Sequence, residues 1–223
     1  MDAHRNDPFT GDPSWKATRT LADGTSITIR PIMPEDRDEL RREFDRTSPQ
    51  TRYLRFLGVV GELSEATLTY LTCVDQQRHV ALVATVTSPD LKTERGVAVA
   101  RLIRLAEDPD VAEAAITVVD DLQKRGIGTA LALELERAAR ACGIRHIRAD
   151  VLEGNAAMRT ILEGAGARRV DAGEATGTIS YDIALDPEVP PASSTRLLDV
   201  LRGAAQTMAV TIRKLAPSDR SGS

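Results

Sequence analysis

Aromatic residues, cysteines and histidines are scarce in this chain of 223 residues. Aromatic side chains make up 3% of the residues, which disfavours nucleic-acid modules that stack bases on aromatic rings. The two cysteines, Cys73 and Cys142, form no Cys-x-x-Cys pair, and the three histidines are scattered along the chain. Neither a disulfide framework nor a metal site is therefore predicted, and reduced thiols favour a cytoplasmic protein.

Long apolar runs are also lacking. No stretch approaches the roughly 20 apolar residues that cross a membrane, and the first residues contain no apolar signal core. The 29 Lys and Arg residues against 33 Asp and Glu residues give a formal net charge of −4, which disfavours general binding of polyanions. We therefore expect a cytoplasmic protein that binds neither a membrane nor nucleic acid.

The chain does have enough apolar residues for one domain of ordinary size, since 42% of its residues are hydrophobic. A polar segment rich in Asp, Pro and Gly predicts a mobile N-terminal tail over residues 1–17, followed by a domain over 18–187. Residues 188–223 begin with a linker rich in Pro and Ser, and apolar residues then follow at helical spacing from Leu198 to Leu215. This amphipathic segment can pack on the domain, pair with a second copy in a homodimer or stay loose.

The predicted elements follow a mixed order. Asp23-Gly24 favours a hairpin, Pro34 the start of a helix, and Ser64 the cap of another. A β-rich section then leads into alternating strands and helices, and together these elements predict a mixed α/β (α+β) fold around one central sheet. The expected strands and helices after residue 78 are β over 79–86, 97–105 and 113–119, α over 128–143, β over 144–152, α over 155–166 and β over 178–185.

The junction between the third of these strands and its helix favours an anion. The first N–H groups of a helix lack partners within the helix, and the helix dipole is positive there. Gly126 and Gly128 allow a phosphate to approach the backbone, and Lys124 and Arg125 add positive charge, unless they are merely solvated. A diphosphate ligand explains these features together. The Walker pattern is absent, and the dinucleotide fingerprint is incomplete because Leu131 stands at its third glycine position.

This junction resembles motif A of the GNAT acetyltransferases, whose pattern is Gln/Arg-x-x-Gly-x-Gly/Ala. Gln123, Gly126 and Gly128 match that pattern. The resemblance extends to Ile29-Arg30-Pro31 and Pro34-Glu35-Asp36, which are similar to the first strand and helix start of the family, and to residues 155–170, which are similar to its second conserved helix. It covers about residues 18–186 and is strongest to the acetyltransferase domain of bacterial protein-lysine acetyltransferases.

The resemblance implies a GNAT fold, with a mixed, mostly antiparallel sheet flanked by helices, and acetyl-CoA as co-substrate. The implied reaction is direct acetyl transfer to an amine, either a protein lysine or a small molecule. Asn155 stands where many members place an asparagine that contacts the cofactor, although it also serves as a helix cap. The predicted cofactor-binding residues are Val118, Val119, Gln123, Lys124, Arg125, Gly126, Ile127, Gly128, Thr129 and Asn155.

Glu113 is the candidate catalytic base. It matches the position at which the similar protein acetyltransferases place their base, although a solvated glutamate at a strand start is the simpler alternative. The resemblance also shows a departure, because Leu162 stands where many members have a tyrosine that protonates the departing thiolate. Three tyrosines, each more readily explained as structural, are candidate substitutes: Tyr53, Tyr70 and Tyr181.

Two rival functions remain open at this stage. The first is a catalytically silent module that binds acyl-CoA, which Leu162 favours and the retained Glu113 disfavours. The second is a nucleotide-binding regulator that uses the same glycine junction, which the missing Walker lysine disfavours. The acceptor itself depends on loops for which the sequence offers no recognisable pattern.

Overall fold

A single sheet of eight strands organises the residues that this computed structural model describes, namely 9–46, 64–87, 94–154, 156–170 and 178–185. The strands are β1 (Ala17–Thr20), β2 (Ser26–Pro31), β3 (His79–Thr87), β4 (Glu94–Arg104), β5 (Val111–Val118), β6 (His146–Leu152), β7 (Arg168–Val170) and β8 (Thr178–Ala184). The helices are α1 (Arg37–Arg46), α2 (Glu65–Thr72), α3 (Ile127–Ala141) and α4 (Ala156–Gly164), with 3₁₀ turns at Pro34–Asp36 and Asp120–Leu122.

The strand order is β1-β2-β3-β4-β5-β6-β8-β7, and only the β5–β6 pair is parallel. This arrangement confirms the predicted mixed, mostly antiparallel sheet flanked by helices. The β1–β2 hairpin turns at Asp23-Gly24 as predicted, with Gly24 at a φ of 82° that a side chain would strain. The Asp23 carboxylate accepts a hydrogen bond of 2.9 Å from the N–H of Thr25, which closes the turn.

The two short helices before β3 begin as the sequence predicts. Pro34 occupies the first position of a 3₁₀ turn that leads into α1, and the Arg30 guanidinium pairs with Asp36 of the same turn at 2.8 Å. Ser64 caps α2, because its hydroxyl accepts a hydrogen bond of 3.1 Å from the N–H of Thr67.

The main core lies between the sheet and α3, and α4 belongs to the same side. Leu131 and Leu135 of α3 join one buried cluster with Leu82 and Leu102 of the sheet, and Leu162 of α4 belongs to that cluster. α3 ends where the sequence predicts, since Gly143 has a φ of 76° and donates a hydrogen bond to the carbonyl of Arg140. None of the described helices is long and apolar enough to cross a membrane.

The prediction of a mobile tail over residues 1–17 is wrong for the part of it that the structure describes. Phe9 and Trp15 are 5% and 7% exposed, belong to the main core cluster, and meet edge to face with ring centroids 5.3 Å apart. The prediction rested on the polar composition of the segment. Burial of the two aromatic side chains stabilises the docked segment even though most of its other residues are polar. The amphipathic segment predicted within 188–223 lies outside the described residues.

Candidate active site

A fork in the sheet marks the candidate site. The parallel pairing of β5 with β6 covers three register pairs, from Val111–His146 to Glu113–Arg148. Beyond that point β5 continues beside β4 as far as Val118, and β6 continues beside β8 as far as Leu152. Two strand edges within the described part of the chain therefore diverge from Glu113 onward. Their backbone N–H and C=O groups can pair with a ligand inserted between them.

Glu113 lies at the apex of this fork. Its sequence neighbours Ala112 and Ala114 belong to the core cluster on the α3 side, and successive side chains of a strand alternate between faces. The Glu113 side chain therefore lies on the opposite face of the sheet, which α2 also approaches through Tyr70. Glu113 is half-buried rather than fully exposed, unlike a solvated residue at a strand start.

The glycine loop lies at the open end of the fork, where β5 leads into α3. The loop is tied to the sheet by two bonds, since the N–H of Val119 donates to Val97 at 2.9 Å and the Gln123 side chain donates to the Val118 carbonyl at 3.3 Å. Gln123 of motif A therefore fastens the loop to the end of β5. A loop held in this way presents the N-terminus of α3 as a fixed anion site.

Different structural features explain the two glycines of the loop. Gly126 is the N-cap of α3 and has a φ of 91°, a left-handed backbone conformation that by itself favours glycine. Gly128 lies within the helix, and a Cβ built there would meet the nearest atom, Cγ2 of Val118, at an ordinary 3.5 Å. The described residues therefore leave room for a side chain at Gly128, and a ligand close to the backbone explains the glycine better than packing does.

The two basic residues of the loop are placed differently. Lys124 is exposed and has a left-handed φ of 62°. Arg125 forms an ion pair of 3.6 Å with Asp23 in the β1–β2 turn, and both side chains are largely exposed. Hydrogen bonds from Thr25, and then the Arg125 charge, lower the pKa of Asp23, so this carboxylate competes with a phosphate for Arg125. Of these two basic residues, Arg125 has an ion pair within the described part of the chain and Lys124 has none observed there.

The remaining predicted cofactor-binding residues surround this loop. Ile127 is 1% exposed and belongs to the main core cluster, so its side chain packs in the core. Val118 and Val119 are partly buried against the core, and Thr129 is half-buried in the first turn of α3. Asn155 lies outside the described residues.

Leu162 and the tyrosines bear on how a thiolate would be protonated. Leu162 is fully buried in the core. Tyr181 is 1% exposed and its hydroxyl donates a 2.9 Å hydrogen bond to Glu163, so it acts as a structural residue. Burial, with that hydrogen bond, raises the pKa of Tyr181. Tyr53 lies outside the described residues.

Tyr70 belongs to a cluster beside Glu113 that the sequence did not reveal. Its ring lies 5.1 Å from that of His79, whose Nε2 accepts a 3.1 Å hydrogen bond from buried Arg101. Burial and then the Arg101 charge lower the pKa of His79 to about 4. Burial raises the pKa of Tyr70, the Arg101 charge opposes that shift, and the Glu113 charge acts in the same direction as burial.

Two features of the site were missed by the sequence interpretation. Strand lengths are visible in the sequence, but the point at which two strands part is not, because it depends on register between distant segments. The cluster around Arg101 is formed by α2, β3 and β4 together. A signal was present, since a charged residue within an apolar strand pattern often has a buried partner.

Comparison with known proteins agrees with this geometry. The family model described as "Acetyltransferase (GNAT) domain" matches residues 26–168. Acetyltransferase PA5475 of Pseudomonas aeruginosa is 34% identical over 161 residues, which is 72% of this chain and 85% of that protein. Acetyltransferase Pat of Mycolicibacterium smegmatis is 32% identical over 183 residues, which is 82% of this chain. The match spans only 53% of the length of the Pat protein.

A solved structure shares the fold. The GNAT domain of S. lividans PAT superposes with a TM-score of 0.64 at 28% identity, covering 78% of this chain and 98% of that one. The glycine loop, the forked sheet and these matches lead to one conclusion: the chain belongs to the GNAT acetyltransferase family and is an acyl-CoA-dependent acetyltransferase.

Proposed function

We propose that this protein transfers an acetyl group from acetyl-CoA directly to an amine, with Glu113 as the base. The observation that carries the proposal is the end of the β5–β6 pairing at Glu113, which places a carboxylate at the apex of a fork whose open end holds the glycine loop. When bound, acetyl-CoA supplies the acetyl group as a thioester.

The residues of the fork and the loop would hold the two ends of this molecule. The N–H groups at the start of α3, from Ile127 to Thr129, would donate to the diphosphate, and Lys124 would add charge. The diverging edges of β5 and β6 would pair with the amides of the pantetheine arm, as an added strand pairs with a sheet edge. The thioester would then lie near Glu113.

Glu113 would accept the proton of the incoming amine. An alkyl ammonium has a pKa of about 10.4, so at neutral pH an amine arrives mostly protonated and cannot attack. The Glu113 carboxylate accepts that proton, directly or through water, and the neutral nitrogen forms a bond to the carbonyl carbon while the carbon–sulfur bond breaks. The sulfur leaves as a thiolate, which needs no strong acid because a thiol has a pKa of about 8.5.

Glu113→Gln tests the base. The variant keeps the shape of the side chain and removes the proton acceptor, so turnover should fall by about 10²-fold or more while the affinity for acetyl-CoA hardly changes. The loss should shrink at high pH, where more of the amine is neutral. Steady-state kinetics from pH 6 to 10, with acetyl-CoA binding by calorimetry, measure both. Full activity would refute the assignment, and a defect that is independent of pH would indicate a positioning role.

For the acceptor, we propose a primary amine, carried by a protein lysine or by a small molecule. Support comes from the resemblance to protein-lysine acetyltransferases and from similarity to proteins named Pat. A screen of lysine peptides, polyamines and aminoglycosides for CoA release separates the two classes. Tight acetyl-CoA binding without turnover of any amine would instead support a catalytically silent module that binds acyl-CoA.

A further inference from the structure

A row of charged side chains crosses the sheet on the face of Glu113. Glu113 is the register partner of Arg148 on β6, and Arg148 is the register partner of Asp182 on β8. Register partners on neighbouring strands project to the same face, and neighbouring strands lie about 4.8 Å apart. Their sequence neighbours confirm the face, because Ile147 and Ala149 belong to the core cluster on the other side.

Asp182 fixes the conformation of Arg148. Nε of Arg148 donates to one carboxylate oxygen of Asp182 at 2.8 Å, and Nη2 donates to the other at 2.9 Å. The side chains are 16% and 8% exposed, so this two-point ion pair is largely shielded from solvent.

We propose that Arg148, fixed by Asp182, is a positioning residue whose charge keeps the Glu113 carboxylate ionised at the apex of the fork. This inference rests on the proposed role of Glu113. An opposite charge on the adjacent strand favours the ionised form of a carboxylate, so the base remains available at lower pH than it would alone. The Arg148–Asp182 ion pair therefore sets the pH at which the rate falls on the acid side of the pH–rate profile, the acid limb.

Three other titratable groups on this face of the sheet, on α2, β3 and β4, do not account for that acid limb. Burial lowers the pKa of His79 to about 4, so His79 is neutral throughout an assay from pH 5 to 9. Burial also lowers the pKa of Arg101, to about 10, and raises that of Tyr70, so both keep their protons in this range. On the strands beside Glu113, its register partners are Ile103 on β4 and Arg148 on β6, with Asp182 beyond. His146 on β6 and Arg101 on β4 lie on the same face, each two residues from one of these partners.

Arg148→Met tests the proposal through the pH dependence of kcat/KM, with acetyl-CoA and the best amine from the screen. We expect the acid limb to move up by about one pH unit, so that the variant is about tenfold slower at the acid end and near normal at high pH. Arg148→Lys, which keeps the charge, should return the limb towards that of the wild type. Arg148→Gln keeps a donor for Asp182 and replaces the methionine variant if that variant does not fold.

Arg140→Met is the matched control. Arg140 forms a similarly shielded ion pair of 2.6 Å with Glu136, but on α3, so its loss should lower stability without moving the acid limb. In the Glu113→Gln background, Arg148→Met should cause no further loss, because it acts through the missing carboxylate. An unmoved limb in a folded variant, or an equal loss in both backgrounds, would overturn the inference. Full activity of Glu113→Gln would refute the proposed base instead.

Discussion

Buried charge alone does not single out a catalytic group in this protein. Glu134 and Glu136 of α3 are each 1% exposed, and their carboxylates are paired with Arg19 and Arg140 respectively. A buried charge that is paired and hydrogen-bonded is structurally tolerable, whereas removal of its partner is costly. Glu113 is distinguished by its position at the parting of two strands, which is a property of the sheet and not of burial.

His79 gives the protein a predictable sensitivity to acid. Its pKa is lowered from 6.5 to about 4, so the unfolded chain takes up a proton at a pH where the folded protein does not. The contribution of His79 to stability is therefore complete above about pH 6.5 and is lost as the pH falls towards 4. The full difference is on the order of 3 kcal/mol.

The measurement is the melting temperature of wild type and His79→Gln between pH 4.5 and 7.5. Glutamine can accept the hydrogen bond from Arg101 but does not titrate, so the advantage of the wild type should shrink as the pH falls. Parallel curves for the two proteins would contradict the assignment of a depressed pKa to His79.

At the scale of elements, Gly128 near the N-terminus of α3 provides a test of the proposed diphosphate site. Gly128→Ala should leave the fold intact, because the added methyl would lie 3.5 Å from Val118 and alanine favours a helix over glycine by about 1 kcal/mol. The same methyl should obstruct a diphosphate on the backbone, so acetyl-CoA affinity should fall by more than about tenfold, or about 1.4 kcal/mol. Calorimetric titration and thermal melting measure the two effects separately.

Two other glycines serve as controls for that variant. Gly164→Ala, at the end of α4 and with no neighbouring atom within 4 Å, should leave the affinity unchanged. Gly126→Ala should lower stability itself, because φ is 91° there. Unchanged affinity in Gly128→Ala would argue against a diphosphate at this helix.

The sequence predicts elements with strong local signals and misses those defined by pairing. Asp23-Gly24, the Ser64 cap and the Gly143 stop each carry local chemistry, and each lies where it was expected. Strand β7 has three residues, Arg168–Val170, too few to show an alternating pattern. The Arg148–Asp182 pair joins residues 34 positions apart, and it becomes visible only when β6 is aligned with β8. The motif therefore indicated the glycine loop but not the fork that it faces.

The whole sheet consists of two parts joined by a short seam. Strands β1–β5 form one part, β6, β8 and β7 form the other, and three register pairs connect them. A ligand that pairs with both diverging edges would bridge the parts. We therefore expect acetyl-CoA to raise the melting temperature, with a stabilisation of about 2.7 kcal/mol at a concentration one hundred times its Kd.

Hydrogen exchange locates this stabilisation. Backbone amides of β5 and β6 beyond Glu113 and Arg148 should gain protection on binding, whereas those of the β1–β2 hairpin should change little. ATP and NAD at matched concentrations are the comparison ligands. Equal stabilisation by either would favour a nucleotide-binding regulator over an acetyltransferase.

The packing of Trp15 also determines what an optical experiment on this protein reports. Trp15 is the only tryptophan of the chain, and its indole is buried against Phe9 ahead of the first strand. Intrinsic fluorescence excited at the indole therefore monitors the docking of the N-terminal segment, far along the sheet order from the β5–β6 seam. An emission-based unfolding curve describes the sheet only where it coincides with circular dichroism, which records the backbone as a whole.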